Sequence, residues 1–411
     1  SIELNVMLSS DMNSKEVKSI WIPGPVIIGA GPSGLATSAC LQQKGIPSLI
    51  LERENCLVSL WKLKSYDRLR LHLPKKFCEL PYMAFPQEFP TYSTKQQFIS
   101  YLEAYATYFS IEPLFRQEVL LAKYDSTLGF WKVRTSKCEY VCRWLIVATG
   151  ENSEPVLPDI ERISSFQGRI MHTSNYKNGV GFQGEKVLVV GCGNSGMEIS
   201  LDLCDYGAQA SVSVRNKLHI LPREVLGKST FGLSMWLLKW FPLKLVDQFV
   251  LLCSWLILGD TRRFGFKRPD VGPLELKNNT GKTPVLDVGI LDMIKAGQIK
   301  VVPSVRRFTD KGAEFVDGRR AEFDSVILAT GYRSSVPSWL KEEEFFNKNN
   351  GYPATPFPNN WKGKNGLYSV GFTKRGLLGL SMDARKVAED ISQQWDFETK
   401  HLCTLQSPKY V

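Results

Sequence analysis

The chain has 411 residues, of which 43% are hydrophobic and 22% charged, and its formal net charge is +10. This length favours two domains, and the composition is ordinary for a soluble globular protein. The basic residues are scattered, without a long Lys/Arg block or an RNA-binding motif, which argues against nucleic acid and for anionic cofactors and an anionic substrate.

The cysteines and the N-terminal residues indicate the cellular compartment in which the protein is found. Nine cysteines without a C-x-x-C pair do not read as a disulfide framework, so a reducing, cytoplasmic setting is expected. Residues 1–20 are polar and mixed, without the charged-then-apolar pattern of a signal peptide. The alternative location is the cytosolic face of the endoplasmic reticulum.

The first strong motif is a G-x-G-x-x-G turn formed by Gly29, Gly31 and Gly34. The apolar run before it predicts a strand over 25–29, and a helix is predicted over 32–44. The first glycine permits the tight turn, the second lets the backbone approach a pyrophosphate, and the third lets helix and strand pack closely. The N–H groups at the helix N-terminus would then hold the pyrophosphate.

The next apolar run predicts a strand over 48–52 that ends in Glu52, at about the 20-residue spacing at which an acidic side chain meets a ribose. A carboxylate there suits the unphosphorylated adenosine ribose of FAD or NAD. The alternative is a glycine turn without a ligand and a solvated Glu52.

A long segment outside the predicted parallel sheet follows the strand over 48–52. Its segment 68–73 alternates basic residues with leucine, which is the period of a half-buried strand. This alternation would place Arg68, Arg70 and His72 on one face. Prolines then break the regularity until a helix that is predicted over 94–109.

Two similar buried strands, in 144–150 and 325–331, each end in Ala-Thr-Gly. Such a pair indicates where the chain leaves one nucleotide-binding domain and later returns to it.

Between these strands lies a second G-x-G-x-x-G turn, formed by Gly191, Gly193 and Gly196. The strand that follows, over 210–214, ends in Arg215 instead of an acid. An arginine pairs with the 2′-phosphate of NADP, which a carboxylate would repel. The first glycine turn therefore predicts an FAD site and the second an NADPH site. The alternative is two NAD-type folds, one of which is vestigial.

The predicted fold class is α/β, with two Rossmann-like dinucleotide-binding domains and the FAD domain interrupted by an inserted NADP domain. The chain would end with a strand over 366–371 and a helix over 383–395, with a helix N-terminus near Leu380 facing the flavin. The predicted ranges are 21–158 and 325–396 for the FAD domain, 159–324 for the NADPH domain, and 1–20 and 397–411 for the tails.

The most apolar segment is 231–260, within the NADPH domain. Charged residues interrupt it, so its longest apolar run is shorter than the roughly 20 residues of a membrane-spanning helix. We expect an internal helical insert that covers the active-site cleft. The alternative is an interfacial membrane contact through Trp236, Trp240 and Trp255.

Two nucleotides on one chain mean that the nicotinamide reduces the flavin, and the flavin then needs an acceptor. Disulfide reductases use a redox cysteine pair, but neither Cys138/Cys142 nor Cys40/Cys56 has a convincing context. Dioxygen is therefore the expected acceptor. The four histidines lack spaced partners, and we expect no metal site.

The segment 166–176 fits the F-x-G-x-x-x-H-x-x-x-[YFW] signature of class B flavin-dependent monooxygenases. The chain as a whole resembles the plant flavin-containing monooxygenases of the YUCCA type, and this resemblance covers nearly all of 21–396. Further matching words are Ser59-Leu60-Trp61-Lys62, residues 66–75 and 148–152, Thr283–Gly289 and Gly371–Leu377.

The resemblance implies the oxidative decarboxylation of indole-3-pyruvate to indole-3-acetate, the auxin-forming step, with FAD and NADPH and through a peroxyflavin. Preference for indole-3-pyruvate over phenylpyruvate stays open. The alternatives are a general N- or S-oxygenating monooxygenase, a flavoprotein reductase without oxygen insertion, and a scaffold without activity.

The resemblance also implies roles for individual residues. Phe166 and His172 of the signature would link the domains and orient NADP, although His172 would alternatively cap a turn. His72 stands where amine- and sulfide-oxidising relatives have an asparagine, and Asn152 is our candidate substitute, with a helix N-cap as its alternative. Tyr176 replaces the tryptophan of Baeyer–Villiger enzymes.

Two further assignments concern ligands. Trp61 is expected to contact the flavin cofactor. Arg68, Arg70, Lys75 and Lys374 are candidates for holding the substrate carboxylate, against a solvated surface position for each.

Overall fold

The computed structural model describes residues 18–342 and 344–406. Of the predicted tails, residues 1–17 and 407–411 lie outside the described residues, and so does the expectation of an N-terminus without a targeting signal.

Both strands and helices occur along the whole described chain, often in runs of several strands. Up to residue 158 they are β1 Ser19–Ile22, β2 Val26–Ile28, α1 Pro32–Gln42, β3 Leu49–Leu51, α2 Ser59–Leu63, α3 Lys95–Tyr108, β4 Val119–Asp125, β5 Phe130–Thr135, β6 Glu139–Cys142, β7 Leu145–Val147 and β8 Glu154–Pro155. From residue 159 to residue 324 they are β9 Arg169–His172, β10 Lys186–Val190, α4 Asn194–Asp205, β11 Gln209–Val214, β12 Ile220–Pro222, β13 Glu224–Val225, β14 Lys228–Ser229, α5 Thr230–Leu237, α6 Leu243–Leu258, α7 Pro273–Thr280, β15 Val285–Asp287, α8 Ile290–Lys295, β16 Lys300–Pro303, β17 Val305–Thr309, β18 Gly312–Phe315 and β19 Arg320–Glu322. The remaining elements are β20 Ser325–Leu328, β21 Tyr332–Arg333, α9 Val336–Trp339, β22 Leu340–Lys341, β23 Leu367–Ser369 and α10 Gly376–Gln406.

The first glycine turn belongs to a parallel sheet with the strand order β23-β7-β2-β3. β2 runs directly into the turn and α1, as predicted, and α10 packs against α1. Both helices contribute alanines to the shared core, which allows close packing: Ala36, Ala39, Ala384 and Ala388. A mixed sheet, β1-β6-β5-β4-β22, completes this half of the molecule; its outer pairings are parallel and its two inner pairings are antiparallel.

The second glycine turn belongs to a second parallel sheet with the order β16-β11-β10-β20-β9. The two parallel sheets confirm the predicted α/β class and the interruption of the first domain, because β23 returns to β7 after the second sheet is complete. The predicted boundary at residue 325 is wrong, since β20 pairs with β10. Strands that are buried on both faces are apolar throughout, so their sequence does not tell which sheet they join.

Segment 68–73 is not a strand. Its backbone makes single hydrogen bonds to the segment before α3, from Leu71 N to Ser93 O at 2.9 Å and from Lys95 N to Leu69 O at 2.8 Å. A further single bond, from Lys75 N to Thr91 O at 2.7 Å, follows Pro74, which has no N–H of its own and so cannot take part in a continuous ladder.

The predicted helices were placed correctly, with one difference in length. The helix α3 begins in a capping box, in which Thr94 Oγ1 accepts from Gln97 N at 3.2 Å and Gln97 Oε1 accepts from Thr94 N at 2.9 Å. The last helix begins at Gly376 and ends at Gln406, so it includes the predicted 383–395 and part of the predicted tail.

The apolar segment 231–260 forms α5 and α6, as the predicted helical insert requires. None of the described helices is long and apolar enough to cross a membrane. The inner side of α6 packs against β12, with Val246 and Val250 next to Leu221. Neither helix lines the cleft described below, so the expectation that they cover it is wrong; α7 supplies the lining from this region.

Candidate active site

The first glycine turn lines a groove at the C-terminal ends of β2 and β3, which we call the first groove. Gly29 has a φ of +111°, and a Cβ on Gly34 would lie 1.9 Å from Gly29 O, so both positions require glycine. A Cβ on Gly31 would meet no protein atom within 4 Å. The backbone is therefore open at Gly31, on the side where a pyrophosphate would lie against the N-terminus of α1.

Glu52 lies in this groove at the end of β3 and is buried. Its Oε2 accepts from Ala30 N and its Oε1 from Glu54 N, both at 2.9 Å. A carboxylate has about four acceptor sites, so these two bonds hold it in place and leave capacity for a ribose hydroxyl. The groove also contains Thr149, whose Oγ1 is buried without a partner in the described chain. These groups fit the nucleotide end of FAD.

The second turn repeats this geometry. Gly191 has a φ of +118°, a Cβ on Gly196 would lie 2.1 Å from Gly191 O, and a Cβ on Gly193 would meet nothing within 4 Å. Arg215 follows β11, is exposed, and lies near the Cys192 thiol of the turn, where it partly offsets the rise that burial causes in the pKa of Cys192. A guanidinium beside the turn fits the 2′-phosphate of NADP.

A second cavity lies between the first groove and the second glycine turn, and we refer to it as the cleft. Trp61 and Asn152 line both the first groove and the cleft, while Asn194 and Ser195 bring the first turn of α4 to its other side. The remaining polar or charged lining residues are Lys64, Ser65, Tyr66, Arg70, His72, Cys78, Thr173, Lys277, Thr283, Tyr332, Lys374 and Arg375.

Of the residues predicted to be catalytic, His72 and Asn152 line the cleft. No described helix begins directly after Asn152, because β8 follows it, so the N-cap alternative is wrong. Trp61 packs edge-on against Phe98 at 4.6 Å between ring centroids, which fixes its ring at the junction of groove and cleft.

His72 is held by Glu198, a residue that no sequence motif singles out for this role. His72 Nε2 lies 2.7 Å from Glu198 Oε1, and Tyr66 Oη donates to Glu198 Oε2 at 2.9 Å. The Glu198 side chain is 9% exposed and stands on α4, behind the second glycine turn. This buried carboxylate joins the 66–72 segment to the second domain. Burial, with Glu198 adding to it, raises the pKa of Tyr66 well above its usual range.

His172 lies outside both cavities. Its Nδ1 accepts from Ser174 N at 3.1 Å, and its Nε2 donates to Gly331 O at 3.0 Å. These two bonds define a neutral tautomer, and burial lowers the pKa of His172. It therefore caps a turn and ties the end of β9 to the residues after β20, so a direct catalytic contact by His172 is not supported.

The other signature residues are structural. Phe166 packs against Phe308 in a core cluster, at 5.8 Å between ring centroids. Tyr176 is buried, and its Oη donates to Asp202 Oδ2 at 2.6 Å.

Two of the proposed carboxylate-binding residues are engaged elsewhere. Arg68 forms an ion pair with Asp205. Lys75 Nζ donates to three backbone oxygens, those of Pro86 at 2.7 Å, Gln87 at 3.0 Å and Phe89 at 2.6 Å. Arg70 and Lys374 do line the cleft.

Two cations that the sequence analysis missed also line the cleft, Lys277 and Arg375. Lys277 Nζ lies 5.3 Å from the Phe231 ring centroid, and the Arg375 guanidinium lies 4.1 Å from that of Phe357. Burial, together with the nearby Arg375, lowers the pKa of Lys277. Lys277 is partly buried and Arg375 is exposed, and two neighbouring cations of this kind suit an anionic ligand.

Sequence comparison places these features among known proteins. Residues 25–374 match the family described as flavin-binding monooxygenase-like. The chain is 59% identical to the Arabidopsis thaliana protein named indole-3-pyruvate monooxygenase YUCCA6, over 91% of this chain and 91% of that protein. It is 56% identical to indole-3-pyruvate monooxygenase YUCCA1 of Oryza sativa subsp. japonica, over 93% and 94% of the two chains.

Solved structures share the fold at lower identity. A flavin-containing monooxygenase from Stenotrophomonas maltophilia superposes with a TM-score of 0.69 at 20% identity, over 92% of this chain and 99% of that one. An oxidized steroid monooxygenase bound to NADP gives 0.72 at 18% identity, over 90% and 85%. A bacillithiol disulfide reductase from Staphylococcus aureus gives 0.64 at 17%, over 92% and 99%. The fold alone therefore does not separate oxygenases from reductases.

Proposed function

Because this chain belongs to the flavin-binding monooxygenase-like family, and within it to the plant YUCCA-type enzymes, we propose that it oxidatively decarboxylates indole-3-pyruvate with FAD, NADPH and dioxygen. The observation that carries the proposal is the pair of glycine turns, with Glu52 at one and Arg215 at the other, on the two sides of one cleft. The names of relatives with more than half of their residues identical supply the substrate.

The reaction balances as indole-3-pyruvate, NADPH, a proton and dioxygen giving indole-3-acetate, carbon dioxide, NADP⁺ and water. Bound FAD, once reduced by NADPH, supplies the activation of dioxygen. The bond between the keto carbon and the carboxylate breaks, and one oxygen atom from dioxygen joins the former keto carbon.

The chain's own residues would position the reactants. Glu52 and the open backbone at Gly31 would hold the FAD nucleotide, and Arg215 with Gly193 would hold NADPH. The ring of Trp61 at the junction would exclude water from the cleft, which matters because water competes with productive chemistry.

We propose that Lys277 and Arg375 bind the substrate carboxylate. Both line the cleft, and the described residues place no carboxylate in ion-pair contact with either. A 2-oxo acid would supply the missing negative charge next to the partly buried Lys277, where ion pairing is stronger than in bulk water. Lys374 is a third cation at this end, although its Nζ lies 4.8 Å from the Tyr352 ring centroid.

His72 would carry a proton at a defined atom. A hydrogen bond donated by His72 Nε2 to Glu198 Oε1 would leave Nδ1 as the acceptor of a ring that lines the cleft. Asn152 offers both a donor and an acceptor from the other side of the cleft.

The test is a product analysis of the holoenzyme with NADPH, dioxygen and a panel of 2-oxo acids, amines and thioethers. We expect indole-3-acetate and carbon dioxide in equal amounts, matched to the NADPH consumed. Oxygenation of only the amines or thioethers would indicate the general monooxygenase, and NADPH oxidation without any oxygenated product would indicate the reductase.

We further propose that the enzyme works in the cytoplasm; the alternative location is the cytosolic face of the endoplasmic reticulum. The eight cysteines whose side chains the structure describes are all unpaired thiols, which suits a reducing compartment. Fractionation of cells that express the full chain with a fluorescent tag would test this location.

A further inference from the structure

The outer surface of α5, α6 and their connection exposes an unusual amount of apolar area. We call this surface the apolar face, and its side chains are between 40% and 72% exposed. Its members are Met235, Trp236, Trp240, Phe241, Leu245, Phe249, Leu252, Trp255, Leu256 and Ile257. Single exposed apolar residues need no explanation, but ten of them within residues 235–257 indicate an interaction surface.

The apolar face follows one side of α6. Leu245, Phe249, Leu252 and Leu256 are spaced by four, three and four residues, which aligns them on one helix face. The opposite side, with Val246 and Val250, already packs on β12. The exposed stripe is therefore not needed to pack α6 against the rest of the protein.

Polar contacts hold α6 in this orientation. Asp247 Oδ1 and Oδ2 accept from Leu274 N at 2.8 Å and from Glu275 N at 3.1 Å, at the start of α7. Ser254 Oγ donates to Ile220 O at 2.9 Å. Because both polar groups are buried on the inner side, rotating α6 to hide its stripe would leave them without partners.

Charged residues near the two ends of α6 are predominantly basic. Lys239 and Lys244 precede or begin the helix, and Arg262, Arg263 and Lys267 follow it, all exposed. The acidic residues in this stretch are neutralised: Asp247 is buried on α7 amides, and Asp260 pairs with Arg262. An apolar strip between basic ends complements an anionic lipid surface.

We propose that the apolar face inserts into the interfacial region of an anionic lipid bilayer, with α6 parallel to the membrane plane and its basic ends at the headgroups. Tryptophan, which combines an apolar ring with an N–H donor, is suited to this depth. A second copy of the chain fits less well, since a two-fold contact would bring the two basic rims together. This inference does not depend on the substrate.

The test is sedimentation of the holoenzyme with vesicles of phosphatidylcholine, alone or with about 30% phosphatidylserine. We expect binding to the mixed vesicles that falls about tenfold or more in the double variant L252Q/L256Q and several-fold in K239Q/K244Q. The matched control is L157Q, because Leu157 is 71% exposed but lies outside the apolar face, and it should bind as the unchanged enzyme does.

Turnover of indole-3-pyruvate by all these variants in detergent-free buffer should be unchanged, which separates this inference from the proposed function. Light scattering measures whether the enzyme is a dimer, which is the competing explanation of the apolar face. The inference is wrong if the unchanged enzyme does not sediment with the mixed vesicles, or if it is a dimer that L252Q/L256Q converts to a monomer without affecting sedimentation.

Discussion

At the scale of single residues, the active site depends on charges that the fold keeps out of water. Glu198 is the clearest example, because one buried carboxylate holds both His72 and Tyr66 and so joins two domains across the cleft. Lys277 is the counterpart on the opposite side, a cation whose pKa is lowered by burial.

Replacing Lys277 by methionine keeps the length of the side chain and removes its charge. If Lys277 binds the substrate carboxylate, the KM for indole-3-pyruvate should rise about tenfold or more, as expected for a lost charge-assisted hydrogen bond. The KM for NADPH should stay unchanged. Steady-state kinetics check this, with the exposed Lys282→Met as control; equal KM values for indole-3-pyruvate in the two variants would contradict the role.

The burial of His172 predicts that the free energy of unfolding depends on pH. Burial lowers its pKa in the folded state below the ordinary value of 6.5, so its contribution to stability is complete above that value and is lost as the pH falls through the folded-state pKa. Protonation of Nδ1 would also break the bond from Ser174 N.

The substitution His172→Gln removes this titration. Between about pH 7.5 and about pH 5, the thermal midpoint of the variant should fall less than that of the unchanged enzyme. Calorimetry at both pH values measures the difference. An equal fall in both proteins would show that His172 does not titrate as the structure indicates.

At the scale of elements, the glycines within a strand–turn–helix unit differ in what a side chain at their position would contact. A Cβ on Gly34 would collide with backbone, whereas a Cβ on Gly31 or Gly193 would meet only the open space in which a pyrophosphate lies. Gly31 has a φ of −81° and Gly193 of −73°, which alanine also adopts.

Gly31→Ala should therefore fold but lose FAD, and Gly193→Ala should keep FAD and bind NADPH much more weakly. The flavin absorbance of the purified variants and their KM for NADPH measure the two effects, and circular dichroism confirms folding. Each variant serves as the control of the other, and loss of flavin from Gly193→Ala would contradict the assignment of the two turns.

The sequence could predict these units because glycine spacing and apolar runs are local signals. It located β2, α1 and β3 to within two residues. It failed where the outcome depended on distant partners: β20 joins the second sheet through β10, and segment 68–73 lacks a continuous partner strand despite its alternation.

At the scale of the whole molecule, the cleft exists because the two sheets bring together side chains far apart in sequence. Lys277 and Arg375 are separated by about a hundred residues and carry no local motif, so sequence spacing did not reveal them. The motif-bearing residues Gly31, Glu52 and Gly193 were predictable because nucleotide binding uses backbone and short-range geometry.

The central claim is that both nucleotide sites serve one cleft in which dioxygen cleaves a 2-oxo acid. Turnover of indole-3-pyruvate under ¹⁸O₂ tests this most directly, with mass spectrometry of the indole-3-acetate. The account predicts one labelled oxygen atom in the product carboxylate for each NADPH oxidised. Unlabelled indole-3-acetate, or NADPH oxidation that yields only labelled hydrogen peroxide, would contradict it.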